Sequence, residues 1–128
     1  MSRPASAERG AAAVDVVLVM LVLLPLVAGV LQLALVLYAR NTAMAAASEG
    51  ARYAAALGMT PADGVARARA DLKALATGSF VRSVTARATT LDGAPAVAVT
   101  VEGRVPALGL AGPAVSFSVT GHAVEEQR

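Results

Sequence analysis

The chain has 128 residues, of which 56% are hydrophobic and 16% charged, and its formal net charge is +2. This length accommodates one small domain plus an attached segment. The apolar fraction exceeds that of an ordinary soluble domain, so part of the chain must face something other than water. No cysteine is present, which excludes a disulfide framework and thiol chemistry.

A polar leader, residues 1–10, precedes a long apolar run. Residues 16–39 contain no Asp, Glu, Lys, Arg or His, and sixteen of them are Leu or Val. As a helix this run is about 36 Å long, which suffices for a bilayer core of about 30 Å. We therefore predict a transmembrane helix over residues 11–39.

Asp15 stands at the head of this run. An ionised side chain in hydrocarbon is costly and usually marks a functional position. The Leu and Val residues contribute roughly −5 to −10 kcal/mol to insertion, which outweighs about +3 kcal/mol for one acidic residue. Asp15 is therefore compatible with insertion and is our first candidate for a functional residue. The plain alternative is that it lies at the membrane interface and caps the helix start.

Two further features of the run concern its shape and orientation. Pro25 lies inside it, and we expect a kink there in an otherwise continuous helix, because membrane helices tolerate proline. The basic residues on the two sides of the run weakly favour a cytoplasmic N-terminus. The leader contains Arg3 and Arg9, and the residues beyond the run include Arg40 and Arg52. The remaining domain, residues 40–128, would then be exported.

Two helical segments follow the run. Residues 40–57 are rich in alanine, the best helix former, and Gly58 is a plausible C-terminal cap. A second amphipathic helix is predicted over residues 61–77, with Thr60 as its N-cap and Asp63 at the third helical position. The first segment continues the transmembrane helix as an exported helix.

From residue 80 onward the apolar period changes to two, which predicts strands. Asp92 and Gly93 signal a hairpin between the first two strands, and residues 109–114 form a looser connection to the third. The predicted strands cover about residues 80–90, 96–105 and 114–124. The fold class is therefore α+β, with a single N-terminal transmembrane helix, a second short helix and a small three-stranded antiparallel sheet.

This order of parts resembles the type IV pilins and pseudopilins. More narrowly, "RGAAAVD", "LYARNTAMAAASEGARYAA" and the strands after them look like the TadE-like family of minor pseudopilins of the tight-adherence, or Flp-type, pilus assembly system. The resemblance extends from about Arg9 to the end and is densest over residues 9–56. It implies a pilin-like fold and a single-pass protein of the cytoplasmic membrane, with its C-terminal domain outside and an extracellular pilus as a further destination.

The resemblance also implies a processing site. The family pattern is a glycine followed, five residues on, by an acidic residue, and these are Gly10 and Asp15 here. Prepilin peptidase would cut between Gly10 and Ala11 and leave a positive amine on Ala11. The family has Glu, often followed by an aromatic residue, whereas this chain has Asp15 followed by Val16.

The resemblance makes Asp15 an assembly residue. When helices bundle, a neighbour's new amine and Asp15 would neutralise each other, and a buried pair that lost one partner would cost several kcal/mol. The small residues of the alanine-rich segment would let helices approach closely outside the membrane. They would also suit packing against the chain's own sheet, and the two roles could coexist. These residues are Ala43, Ala47, Gly50, Ala51 and Ala54.

The function implied is that of a structural minor pseudopilin. Its expected partners are prepilin peptidase, other pilins or pseudopilins, the membrane platform of the pilus machine and the lipid bilayer. Two alternatives stay open. One is an unprocessed single-pass scaffold of a related secretion machine, and the other is a soluble exported domain after ordinary signal-peptide cleavage near Ala45.

Enzymatic and nucleic-acid functions find little support in the residues. His122 is the single histidine and cysteine is absent, so a zinc site or a cysteine nucleophile cannot be built. No P-loop or dinucleotide-binding glycine pattern is present. From these absences we expect no enzyme activity, no cofactor and no metal. Basic and acidic residues alternate and aromatic residues are few, so we also expect no nucleic-acid partner.

Overall fold

The computed structural model describes residues 5–108 and 114–127. The first four residues of the leader and nearly all of the predicted connection over residues 109–114 lie outside this description. The elements are α1 (Ala5–Ala55), α2 (Pro61–Ala74), a 3₁₀ helix (Ala76–Phe80), β1 (Val81–Leu91), β2 (Ala94–Val105) and β3 (Val115–Val124). A long apolar helix, a short helix and a three-stranded antiparallel sheet are thus confirmed.

Helix α1 joins the predicted membrane segment and the alanine-rich segment into one element. It has 51 residues, with Pro25 inside it, and a helix of this length extends about 77 Å. Gly58, which follows the end of α1, has a φ of +80°, and glycine adopts this left-handed conformation without a steric penalty. The turn at this glycine reverses the chain, and α2 packs back against α1.

Helix α2 begins with the predicted capping box. The Thr60 hydroxyl accepts a hydrogen bond from the Asp63 amide at 3.3 Å, and an Asp63 carboxylate oxygen accepts one from the Thr60 amide at 2.8 Å. These bonds satisfy amide groups that have no partner within the helix. Helix α2 ends at Ala74, and the chain tightens into the 3₁₀ helix before β1 begins.

The three strands form one antiparallel sheet in the order β1-β2-β3. Asp92 and Gly93 both have positive φ, at 50° and 83°, and they form the two-residue turn that the hairpin signal predicts. In this register Leu91 lies opposite Ala94, so β2 begins directly after the turn. Near the other end of β1, the register shifts between Val81 and Ser83, which makes Arg82 a bulge residue.

Both helices lie on one face of the sheet and form the core with it. Small side chains of α1 meet branched side chains of β2, and Val97, Val99, Val101 and Val105 are the largest fully buried side chains among the described residues. A β-carbon added at Gly121 of β3 would lie 2.5 Å from the Ser48 amide nitrogen. Helix α1 and the sheet are therefore in backbone contact at this point.

The small-residue surface of α1 is occupied within the chain. Ala43, Ala47, Ala51 and Ala54 are each at most 3% exposed, and a β-carbon on Gly50 would lie 2.7 Å from the Gly64 carbonyl oxygen of α2. Packing against the chain's own sheet is therefore confirmed, and the close approach of helices at Gly50 occurs between α1 and α2 of the same chain.

The close approach at Gly121 generates a stability prediction. Gly121→Ala places a methyl group against the α1 backbone and should reduce the free energy of unfolding by about 2–3 kcal/mol. Gly29→Ala, where the added carbon meets nothing within 4 Å, is the matched control and should not destabilise. Thermal unfolding of the full chain in detergent micelles, followed by circular dichroism, measures both, and equal midpoints would contradict the packing.

The capping box generates a pH prediction. Hydrogen bonds from the Thr60 hydroxyl and amide hold the pKa of the Asp63 carboxyl below its ordinary value of 3.8. Because the folded-state pKa is the lower one, this contribution to stability is present above the unfolded pKa and is lost as the pH falls through the folded value. Asp63→Asn should therefore be less stable than the parent chain at neutral pH, and the difference should vanish in strong acid.

The control for this prediction is Asp92→Asn. Asparagine suits the turn conformation of Asp92, so this variant should follow the parent chain at every pH in the same unfolding experiment. A constant difference between the Asp63→Asn variant and the parent chain from neutral pH to strong acid would contradict the assignment.

Candidate membrane and assembly segment

The three predicted site residues lie near the start of α1. Gly10, Ala11 and Asp15 are all exposed, and an added β-carbon at Gly10 would meet nothing within 4 Å. Ala11 and Asp15 are four residues apart, which is about one helical turn. The site therefore belongs to a part of α1 that the sheet domain does not cover, and the processing and assembly roles stay predictions.

The segment after Asp15 presents apolar side chains on all sides. Every large apolar side chain between Val14 and Leu31 is at least 44% exposed, although contiguous apolar surface of this size is rare on soluble proteins. Among the described residues, one helix is long and apolar enough to cross a membrane, and it includes this segment. These observations support anchoring in a membrane through the N-terminal part of α1.

Gln32 lies where the sheet domain begins to cover one side of the helix. Its side-chain amide donates to the Pro106 carbonyl oxygen at 3.1 Å, and its side-chain oxygen accepts from the Leu108 amide at 2.8 Å. One side chain thus connects α1 by two hydrogen bonds to the segment that follows β2. This role of Gln32 was not predicted; its signal in the sequence is a single amide side chain near the end of an otherwise apolar run.

The last part of the apolar run belongs to the protein core. Leu35 and Val36 are partly buried and pack against the core cluster, and Ala39 is fully buried. Beside them, Pro106 and Leu108 form irregular backbone, which lipid-exposed positions in hydrocarbon do not tolerate. On the side of α1 that the sheet domain covers, contact with lipid therefore ends near Leu31, whereas Leu33, Leu37 and Tyr38 remain 48–60% exposed.

This limit sets the depth of Asp15. A helix needs about 20 residues to cross the hydrocarbon core, and counting back from Leu31 places the other boundary near Ala12. A span with this boundary would place Asp15 about 4–5 Å inside the hydrocarbon. The apolar run by itself would allow hydrocarbon to begin after Asp15, so the expected environment of this carboxylate depends on where the sheet domain docks.

Comparison with known protein families finds a match over the same segment. Residues 10–52 match the family model described as TadE-like protein. The resemblance is therefore confirmed, and the TadE-like segment begins at the predicted processing glycine and ends at Arg52, near the end of α1. It contains the uncovered apolar part of α1 and nearly all of the part that packs on the sheet. No curated protein and no solved structure matches the chain significantly.

The TadE-like match supports a general association with the tight-adherence pilus machinery and, together with the apolar helix, a membrane location. His122 lies apart from this segment, on an exposed position of β3 opposite Ala98. Among the described residues, no three His, Cys, Asp or Glu side chains form a group that could hold a metal ion.

The Gln32 contact generates a prediction about local stability. Gln32→Leu removes both hydrogen bonds to the segment after β2, and the exposed Leu108 amide should exchange with solvent roughly tenfold faster. Hydrogen exchange of the full chain in nanodiscs, read by mass spectrometry, measures this rate. Asn41→Leu, on an exposed position of α1, is the control and should leave the rate unchanged. An unaltered rate in the Gln32 variant would contradict the contact.

Proposed function

We propose that this chain is a structural minor pseudopilin without enzymatic activity, which takes part in the assembly of a tight-adherence pilus. In this proposal prepilin peptidase cuts between Gly10 and Ala11, with the N-terminus in the cytoplasm and the sheet domain outside. The observation that carries the proposal is the position of Asp15. It is an exposed carboxylate near the start of a bare apolar helix, and a span of about 20 residues that ends near Leu31 would surround it with hydrocarbon.

A carboxylate at this depth needs a cationic partner. Among the side chains that the structure describes, none forms an ion pair with Asp15. Cleavage before Ala11 would create an amine one helical turn away, and a neighbouring processed chain would bring another. Either amine could neutralise Asp15, and pairing with the neighbour's amine would bind two chains together.

Such a pair would also set the axial position of one helix against another. The exposed Leu and Val side chains cannot do this alone, because lipid is as apolar as they are. An ion pair in hydrocarbon forms only where the two charges meet, and a mismatch leaves a charge unpaired. In this proposal Asp15 sets the axial register between helices, and the apolar side chains around it supply the contact area.

The core weighs against the alternative of ordinary signal cleavage near Ala45. Ala39 and Ala43 are both buried against the sheet domain, and Gln32 bonds to the segment after β2. A cut near Ala45 would remove these groups from the folded domain and expose apolar side chains of the sheet. The packing therefore favours a chain that keeps α1.

The test of processing is the mature N-terminus. Mass spectrometry of the protein purified from membranes of cells that carry the matching prepilin peptidase should find a start at Ala11. A start at Met1 or Ser2 would support the alternative of an unprocessed membrane scaffold. A start near Ala46 would support the soluble exported domain, and either result would overturn the pseudopilin proposal.

The test of assembly is the charge at position 15. Asp15→Ala should insert into the membrane normally but reduce recovery of partner pilins in co-purification by tenfold or more, because one charge of a buried pair is lost. Asp15→Glu keeps the charge and should restore most of this recovery. Val16→Ala, the neighbouring uncharged change, should have little effect. Unchanged co-purification and normal piliation in the Asp15→Ala variant would contradict an assembly role.

A further inference from the structure

One end of the sheet lies beside the point where α1 emerges from the apolar segment. Pro106, directly after β2, bonds to Gln32, so the end of β2, the start of β1 and the start of β3 form the membrane-proximal end of the sheet domain. Four exposed residues define this end, and we call them the proximal patch. They are Arg82, Arg104, Leu108 and Val115.

If the hydrocarbon ends near Gln32, the two arginines come to the depth of lipid headgroups. Arg104 precedes Pro106 by two residues, which is about 7 Å along a strand. Arg82 belongs to the bulge beside the pair of Val81 and Gly103, so it lies next to Arg104. The headgroup layer is about 5–7 Å thick on each side of the hydrocarbon core, and arginine side chains at this height reach it.

The two arginines at this end outnumber the one acidic side chain, Glu102, that lines a hollow with them. Arg82 and Arg104 line the same two surface hollows, and neither forms an ion pair among the described residues. Glu102, which lines one of these hollows, accepts a hydrogen bond from the Ser83 hydroxyl at 3.1 Å. Farther from the membrane end, Arg67 by contrast pairs with Asp71 at 3.4 Å.

The same end exposes apolar side chains beside the arginines. Leu108 is 43% exposed and Val115 is 40% exposed, and they stand on either side of the connection between β2 and β3. Unpaired arginines next to exposed apolar side chains are the chemistry of a surface that binds the interface of an anionic bilayer. Continuity with the membrane-embedded part of α1 brings this surface to the bilayer.

We propose that the proximal patch binds anionic lipid headgroups of the leaflet at which the sheet domain emerges. Arg82 and Arg104 contact lipid phosphates, while Leu108 and Val115 enter the boundary between headgroups and acyl chains. The sheet domain then rests on the bilayer instead of projecting freely from it. This proposal depends on the membrane location of α1 and is independent of the cleavage at Gly10.

The test uses the full chain in nanodiscs with one copy per disc. Because the chain has no cysteine, Leu108→Cys carries a single fluorescent label, and lipids with a quencher at the top of the acyl chain report its contact with the bilayer. Discs of phosphatidylcholine with phosphatidylglycerol should increase the ratio of bilayer-bound to free label roughly 30-fold over pure phosphatidylcholine. Equal quenching in both lipids would overturn the proposal.

Substitutions in the same experiment show whether the quenching depends on the charge of the two arginines or on the fold of the sheet domain. The double variant with Arg82→Gln and Arg104→Gln should quench no more in anionic discs than in neutral ones, whereas Lys at both positions should retain the anionic effect. Arg87→Gln is the matched control, because Arg87 lies on the same strand opposite Ala98, away from the membrane-proximal end. Loss of the effect in this control, or its persistence in the double Gln variant, would contradict the assignment.

Other occupants of the proximal patch give distinct results. A duplex oligonucleotide that shifts the label in neutral discs would identify a nucleic-acid surface, and quenching that requires several copies per disc would identify a chain-to-chain contact. Either result would overturn the lipid assignment. A label on Leu23→Cys checks the anchor separately, since its quenching in all discs shows that α1 is embedded even if the proximal patch fails to bind.

Discussion

The docking of the sheet domain on α1 from Gln32 onward is the constraint on which the rest of the structure depends. One continuous helix serves both the bilayer and the folded domain, and each residue that packs on the sheet is unavailable to lipid. Gln32 marks the division through its two hydrogen bonds to the segment after β2. Because the hydrocarbon needs about 20 residues, this division would place Asp15 inside the membrane.

The docking of the sheet domain also determines which surfaces of α1 stay exposed for contact with other molecules. The small residues between Ala39 and Ala55 fit against the sheet and α2, with close backbone approach at Gly50 and Gly121. In the proposed assembly, the uncovered part of the helix supplies the contact, and its apolar side chains give area but little specificity. In this account Asp15 supplies the specificity, and the cost of leaving its charge unpaired is the reason for assembly.

Local sequence signals predicted much of the fold, but contacts between residues far apart in the sequence could not be predicted. The capping box at Thr60 and the hairpin turn at Asp92 depend on neighbouring residues, so the sequence carries them directly. The bond between Gln32 and Pro106 joins residues 74 positions apart and arises only when β2 packs beside α1. For the site, residue types and a family resemblance identified Gly10, Ala11 and Asp15, but the depth of Asp15 required the folded domain.

The most direct test of the central claim is a depth profile along α1. Single cysteines introduced at successive positions from residue 10 to residue 40 of the full chain in nanodiscs, each carrying a spin label, report contact with oxygen in lipid and with a water-soluble relaxation agent. We expect hydrocarbon from about Ala12 to Leu31, with position 15 inside it and positions 35 and 36 shielded by protein. A hydrocarbon zone that begins after position 15 and extends to position 39 would contradict it.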